Sequence, residues 1–220
     1  MSVVEEQDRA AEAEWLAAWL SGPTRTRVGV LPAQIGDPAP DAELPDTGGR
    51  PRRLSEFWRE RPALLLFLRQ FGCSCLAERW DRLKEEIAAY VEEGAQLVAV
   101  CQAEPERAAA VARRRGYPFP LLCDPERRAY ELFGLPEGTP AQILHDFAWR
   151  PGDQATGEKM VVSRRGTERA PVDSPWQLPG EFVIAPSGRL ILTHRYQYCE
   201  DFPPKTVLIG AIRTARAAAG

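Results

Sequence analysis

The feature that most restricts what this chain can become is the apolar run Ala63 to Leu68, followed by a short loop, an amphipathic stretch and a second apolar run, Gln96 to Cys101. The first run is short and bounded by Pro62 and Gly72, which suits a strand covered on both faces. Between the runs Leu76, Trp80, Leu83, Ile87 and Val91 recur at helical spacing, and Gly94 supplies a C-terminal stop. Strand, helix and strand in that order predict parallel strands joined by a crossover.

The alternation continues. An Ala- and Arg-rich helix runs from about Pro105 to Arg115 and stops at Gly116, and Pro118 to Cys123 is a short extended piece. Asp124-Pro125 reads as an N-cap followed by proline at the first helical position, leading into ERRAYELFG. Leu135 to Leu178 has no steady period and reads as an irregular excursion with a short helix or hairpin. Glu181 to Ile184 and Arg189 to Tyr196 flank Ala185-Pro186-Ser187-Gly188 as a hairpin, and Pro203 to Ala219 closes the chain as a helix. At the other end, Ala11, Trp15, Leu16, Trp19 and Leu20 form a helical stripe within Val4 to Leu20, stopped by Gly22-Pro23. We read it as a helix packed on its own domain, with a homodimer contact as the alternative. The expected organisation is an amphipathic helix over 1–24 and one domain over 25–220 with an irregular insertion at 135–178. The expected fold is α/β and thioredoxin-like, a mixed central sheet with helices on both faces.

The 220 residues are 44% apolar and 27% charged, enough for a buried core, and the formal net charge of -3 gives no footprint for nucleic acid. Glu5, Glu6 and Asp8 stand where a secretory leader would be basic, and no stretch approaches the ~20 apolar residues of a membrane span. These readings predict a soluble, cytoplasmic protein that binds neither nucleic acid nor membrane.

Five cysteines are an odd number, and Cys73 and Cys75 lie one residue apart at the start of the helix that follows the first strand. A thiol there meets the positive end of the helix dipole and unpaired backbone N–H groups, which favour a thiolate. Arg69 and Arg79 add positive charge and Glu78 opposes them. Residues two apart on a helix point about 200° from each other, so Cys73 must leave the helix if the two are to pair. A disulfide between them closes a small ring that suits exchange and not scaffolding. A copper site of Cys73, Cys75 and His194 is an alternative, resting on the preference of thiolate and imidazole for soft metals. Alone on a strand, His194 reads as structural. Cys101 and Cys123 read as buried core cysteines. Cys199 reads as an ordinary thiol, or else as a resolving cysteine delivered from a partner or a mobile loop.

The segments IGDPAPDAELPDTGGRPRRLSEFW, ALLLFLRQFGCSC, YPFPLLCDPERRAYELFGL and WQLPGEFVIAPSGRLILTHR resemble the alkyl hydroperoxide reductase and thiol-specific antioxidant (AhpC/TSA) superfamily. FLRQFGC, a long insertion and LPGEFVI resemble its peroxiredoxin-like branch. The resemblance implies a thioredoxin fold and antioxidant thiol chemistry without a cofactor. Cys73 and Cys75 are then the catalytic pair, Arg69, Gly72 and Pro179 support them, and Cys199 is a further candidate resolving thiol. True peroxiredoxins carry Pro and Thr before the peroxidatic cysteine and an Arg before a later strand. With Cys75 aligned as that cysteine, this chain has Leu68 and Gly72 at the first two places and Pro179 near the third. Cys73 matches the first cysteine of the branch's G-C-x-x-C, and Leu76 stands at its second. Pro179 also falls where thioredoxins hold a cis-proline. The implied substrate is a peroxide or a disulfide, and the implied reductant is thioredoxin or a low-molecular-weight thiol. A redox sensor or binding module without turnover is the alternative.

Overall fold

The strand at Ala63–Phe67 is the middle of a five-stranded sheet. In chain order the elements are α1 (Val3–Ser21), β1 (Glu43–Pro45), β2 (Pro51–Arg53), a 3-10 turn (Leu54–Phe57), β3 (Ala63–Phe67), α2 (Ser74–Glu92), β4 (Gln96–Cys101) and α3 (Pro105–Arg115). There follow β5 (Leu121–Cys123), α4 (Arg128–Leu132), α5 (Pro140–Ile143), β6 (Gly180–Ile184), β7 (Leu190–Arg195) and α6 (Lys205–Ala217). The structure is a computed structural model that describes residues 3–144, 158 and 173–218. Most of the excursion expected at 135–178, His145 included, therefore lies outside the described residues.

The sheet order is β5-β4-β3-β6-β7. β3, β4 and β5 run parallel, whereas β6 lies antiparallel to β3 and β7 antiparallel to β6. This is the mixed sheet expected of a βαβ unit completed by a hairpin. β3 is buried along its whole length because both faces are covered. Leu64 and Leu66 join Trp80 and Leu83 of α2 and Leu208 and Ile212 of α6. Ala63, Leu65 and Phe67 join Phe57, Tyr130, Phe133 and Phe182 on the other face. Gly116 ends α3 in the left-handed conformation, φ 65°, which favours glycine.

The start of α4 departs from the sequence reading. Asp124 does not stand at the N-cap; Arg127 does, with φ 59°. Asp124 still caps the helix from four residues upstream, because its carboxylate accepts the backbone N–H of Arg128 and Ala129 at 3.0 and 2.8 Å. An aspartate at the end of β5 can reach these donors across the intervening turn, so the chemistry was right and the register was not.

Helix α1 carries Trp15 and Trp19, both buried, against Trp176. Trp19 stacks on Trp176 and on Trp15, and the Trp176 indole N–H donates to the Ala18 carbonyl at 2.8 Å. No described helix is long and apolar enough to cross a membrane.

Candidate active site

The loop Leu68 to Gly72 leaves β3 at its carboxyl end and turns into α2, the edge at which open α/β sheets hold their sites. The turn is closed by the Cys73 N–H donating to the Gln70 carbonyl at 3.0 Å, with Gly72 buried inside it. Cys73 is the N-cap of α2, with extended backbone at φ -77° and ψ 133°. This frees it from the helical geometry that would point it away from Cys75. The Cys73 and Cys75 sulfurs are joined in a disulfide, with Cα atoms 5.3 Å apart. Cys73 is half-buried, and Cys75, one residue into the helix, is 2% exposed.

Cys199 completes the site. It belongs to the turn after β7, and its N–H donates to the Gln142 carbonyl at 3.3 Å. Its side chain is buried, and its sulfur lies within 4.8 Å of both Cys73 and Cys75 sulfurs. This proximity arises within the one chain, from a turn hydrogen-bonded to Gln142. Burial pushes the Cys199 thiol up, while the charge and hydrogen bond of the Arg69 guanidinium pull it partly back.

Arg69 is itself 3% exposed and donates from Nη1 to the Gln177 carbonyl at 2.6 Å. Its Nε has no partner among the described residues. Arg79, in contrast, is not available to the sulfurs. Glu181 of β6 accepts from its Nε and Nη2 at 2.7 and 3.0 Å, and Glu86 accepts from Nη1 at 2.8 Å. The sequence reading of Arg79 as positive charge for the cysteines is therefore corrected: burial pulls its pKa down, but the Glu181 charge and hydrogen bonds outweigh that and hold it paired. Glu78, the opposing charge, points outward to Arg82 at 2.7 Å. The Tyr196 hydroxyl donates to Glu181 at 2.5 Å, and burial, with the Glu181 charge behind it, holds that phenol well above its ordinary value.

Pro179 lines, with Arg69, Cys75, Glu181 and Cys199, a small cavity of about 20 Å³, room for about one water. Its peptide bond is not cis; all described peptide bonds are trans. The expectation carried by the thioredoxin comparison is corrected here. The Pro179 carbonyl accepts from Tyr196 at 3.3 Å, and the neighbouring Leu178 N–H donates to the Pro136 carbonyl at 3.2 Å. The trans form, the default for X–Pro bonds, satisfies these partners directly.

The copper set of Cys73, Cys75 and His194 is also corrected. His194 Nε2 is engaged with the Asp201 carbonyl at 2.6 Å, and the third group beside the cysteine pair is Cys199. Cys101 and Cys123 are core thiols as read, cross-strand register partners on β4 and β5, 1% and 0% exposed.

Three parts of the site were missed from sequence. Trp15, Trp19 and Trp176 share a cluster with Cys75 and Cys199, so α1 covers the buried side of the sulfurs. Asp173 accepts the Phe71 N–H at 3.0 Å and pairs with Arg107, tying the loop before Cys73 to α3. Glu181 anchors Arg79. Its signal was legible, since an acid in the otherwise apolar strand GEFVI requires a partner.

The AhpC/TSA family model matches residues 35–192. Peroxiredoxin-like 2C of Bos taurus is 31% identical over 100 residues, covering 44% of this chain and 44% of that protein. The chain thus spans less than half the length of that relative. Among solved structures, peroxidoxin BcpB from Mycobacterium tuberculosis aligns with TM-score 0.53 and 22% identity, over 83% of this chain and 97% of that one. A peroxiredoxin-like protein from Aquifex aeolicus aligns with TM-score 0.59 and 13% identity, over 87% and 92%. These two likenesses speak to the fold.

Proposed function

This chain belongs to the AhpC/TSA family, and from that premise we propose that it is a thiol-dependent oxidoreductase that reduces a peroxide or a disulfide through Cys73 and Cys75. The observation that carries the reading is the disulfide between Cys73, at the N-cap of α2, and Cys75, one residue inside it. Cys73 is the attacking sulfur, because it is the more exposed of the two and stands at the positive end of the helix.

With a peroxide, the Cys73 thiolate attacks the O–O bond, forming a sulfenic acid and releasing an alcohol or water. The Cys75 thiol then attacks that sulfur, releasing water and closing the disulfide. With a disulfide substrate, Cys73 forms the mixed disulfide and Cys75 displaces the second thiol. In either case two electrons from an external dithiol such as thioredoxin, or from two low-molecular-weight thiols, restore both cysteines. Arg69 supports the site with positive charge at its buried side, Gly72 lies buried in the turn before Cys73, and Pro179 walls the cavity beside Cys75. A cytoplasmic setting, where such donors are held reduced, fits this chemistry.

Steady-state consumption of hydrogen peroxide, and separately of a model disulfide, with thioredoxin or glutathione as donor is the test. Turnover with either substrate, lost in Cys73→Ser, is expected. A protein that forms the disulfide once and then turns over neither substrate with either donor is a sensor or binding module, and the enzyme reading fails.

A further inference from the structure

The third sulfur has no part in the cycle above. Cys199 is 1% exposed, so no external substrate or donor reaches it without local opening. It nevertheless lies within 4.8 Å of both sulfurs of the disulfide, and the Arg69 guanidinium lines the same small cavity. A buried thiol beside a disulfide and a buried cation has one reaction within reach, thiol–disulfide exchange inside the protein.

We propose that Cys199 is a third redox-active thiol that opens the Cys73–Cys75 disulfide by attacking the Cys75 sulfur, leaving Cys73 as the free thiolate. The proposal rests on the reading above only in taking that disulfide as the starting state. The step balances without a co-reactant. The S–S bond between Cys73 and Cys75 breaks, one between Cys75 and Cys199 forms, the proton that leaves Cys199 passes to solvent, and the electron pair of the broken bond stays on Cys73 as its thiolate charge. Net oxidation does not change.

The direction of attack follows from burial. Displacing Cys75 would leave a thiolate 2% exposed, and an ionised sulfur in an apolar pocket is costly. Displacing Cys73 leaves the charge on the half-buried sulfur at the helix N-terminus, where backbone N–H groups and the dipole stabilise it. The neutral disulfide moves inward between two buried residues. Arg69 steadies the Cys199 sulfur as it sheds its proton. In consequence Cys73 can accept a second oxidising equivalent while the first is held out of reach, and a donor recovers that one by the reverse exchange at the exposed sulfur.

The full-length protein tests this directly. Reduced protein is given one equivalent of diamide, its remaining thiols are blocked with N-ethylmaleimide in denaturant, and trypsin separates Gln70–Arg79 from Tyr196–Lys205. The expected product joins the two peptides, with Cys73 blocked. Cys73→Ser, treated alike, loses both remaining site thiols and gives the same join through Cys75. Overturning it requires only a wild-type protein in which Cys73 and Cys75 stay linked while Cys199 is always blocked, or a Cys73→Ser protein that keeps both thiols. Neither readout uses a peroxide or a donor. A protein that cross-links but turns over no substrate sinks the enzyme reading alone, and one that turns over substrate without the cross-link sinks the exchange alone.

Discussion

The indole of Trp19 lies on that of Trp176, ring centroids 4.6 Å apart and planes 8° from parallel, so that the first helix is fastened over the residues that bury Cys75 and Cys199. Removing this ring uncovers the sulfurs as well as costing packing. We expect Trp19→Ala to lower the unfolding free energy by about 3 kcal/mol, measured by denaturant titration. Native alkylation of Cys199 by iodoacetamide should rise in the same variant; unchanged protection would mean that α1 does not shield the thiol.

Cys73→Ser and Cys75→Ser should separate by step. Loss of Cys73 removes the nucleophile, and turnover should drop by more than about 1,000-fold. Cys75→Ser combined with Cys199→Ser, which removes both neighbouring thiols, should retain one round of oxidation, ending in a sulfenic acid at Cys73 that dimedone labels in a mass spectrum. Full turnover by Cys73→Ser would reverse the assignment of the two sulfurs.

The Arg79–Glu181 pair, with side chains 6% and 3% exposed, predicts asymmetry between single and double replacement. Glu181→Gln leaves a buried guanidinium without its main counter-charge and should cost about 3–5 kcal/mol. Arg79→Met with Glu181→Leu removes both charges and should recover most of that stability. Thermal or denaturant unfolding of the three variants decides it, and equal costs for the single and double changes would contradict the picture.

Glu137 predicts the acid limb of stability. Burial pushes its carboxyl up, but the Thr24 N–H at 2.7 Å, Arg127 at 2.6 Å and the Arg25 N–H at 3.1 Å prevail and hold it below its ordinary value. A carboxyl with a lowered pKa contributes stability that is present above its unfolded value and is lost as pH falls through the folded one. Glu137→Gln should therefore destabilise at pH 7 and narrow the difference from wild type below about pH 4. Unfolding midpoints across that range test it.

Much of the scaffold was legible because it depends on local pattern. The apolar run at Ala63, the helical spacing from Leu76 to Val91 and the turn at Pro186 and Gly188 each declare their element within a few residues. The cysteine pair was legible for the same reason. What escaped depends on distance along the chain. Nothing local tells that Glu181 meets Arg79, that Trp176 meets Trp19, or that Cys199 folds back within 4.8 Å of Cys73 and Cys75. Asp124 shows a smaller failure of the same kind, in which the capping group was recognised but the backbone donors it reaches were misplaced by a turn.

Cys101 and Cys123, register partners at the carboxyl ends of β4 and of the edge strand β5, are both free thiols, and burial holds Cys101 well above its ordinary value. Both are buried in the folded protein, so they provide it with an internal standard. Labelling of the Cys101 and Cys123 peptides, read separately from those of the site, is expected only after denaturant and counts the folded molecules in the same sample.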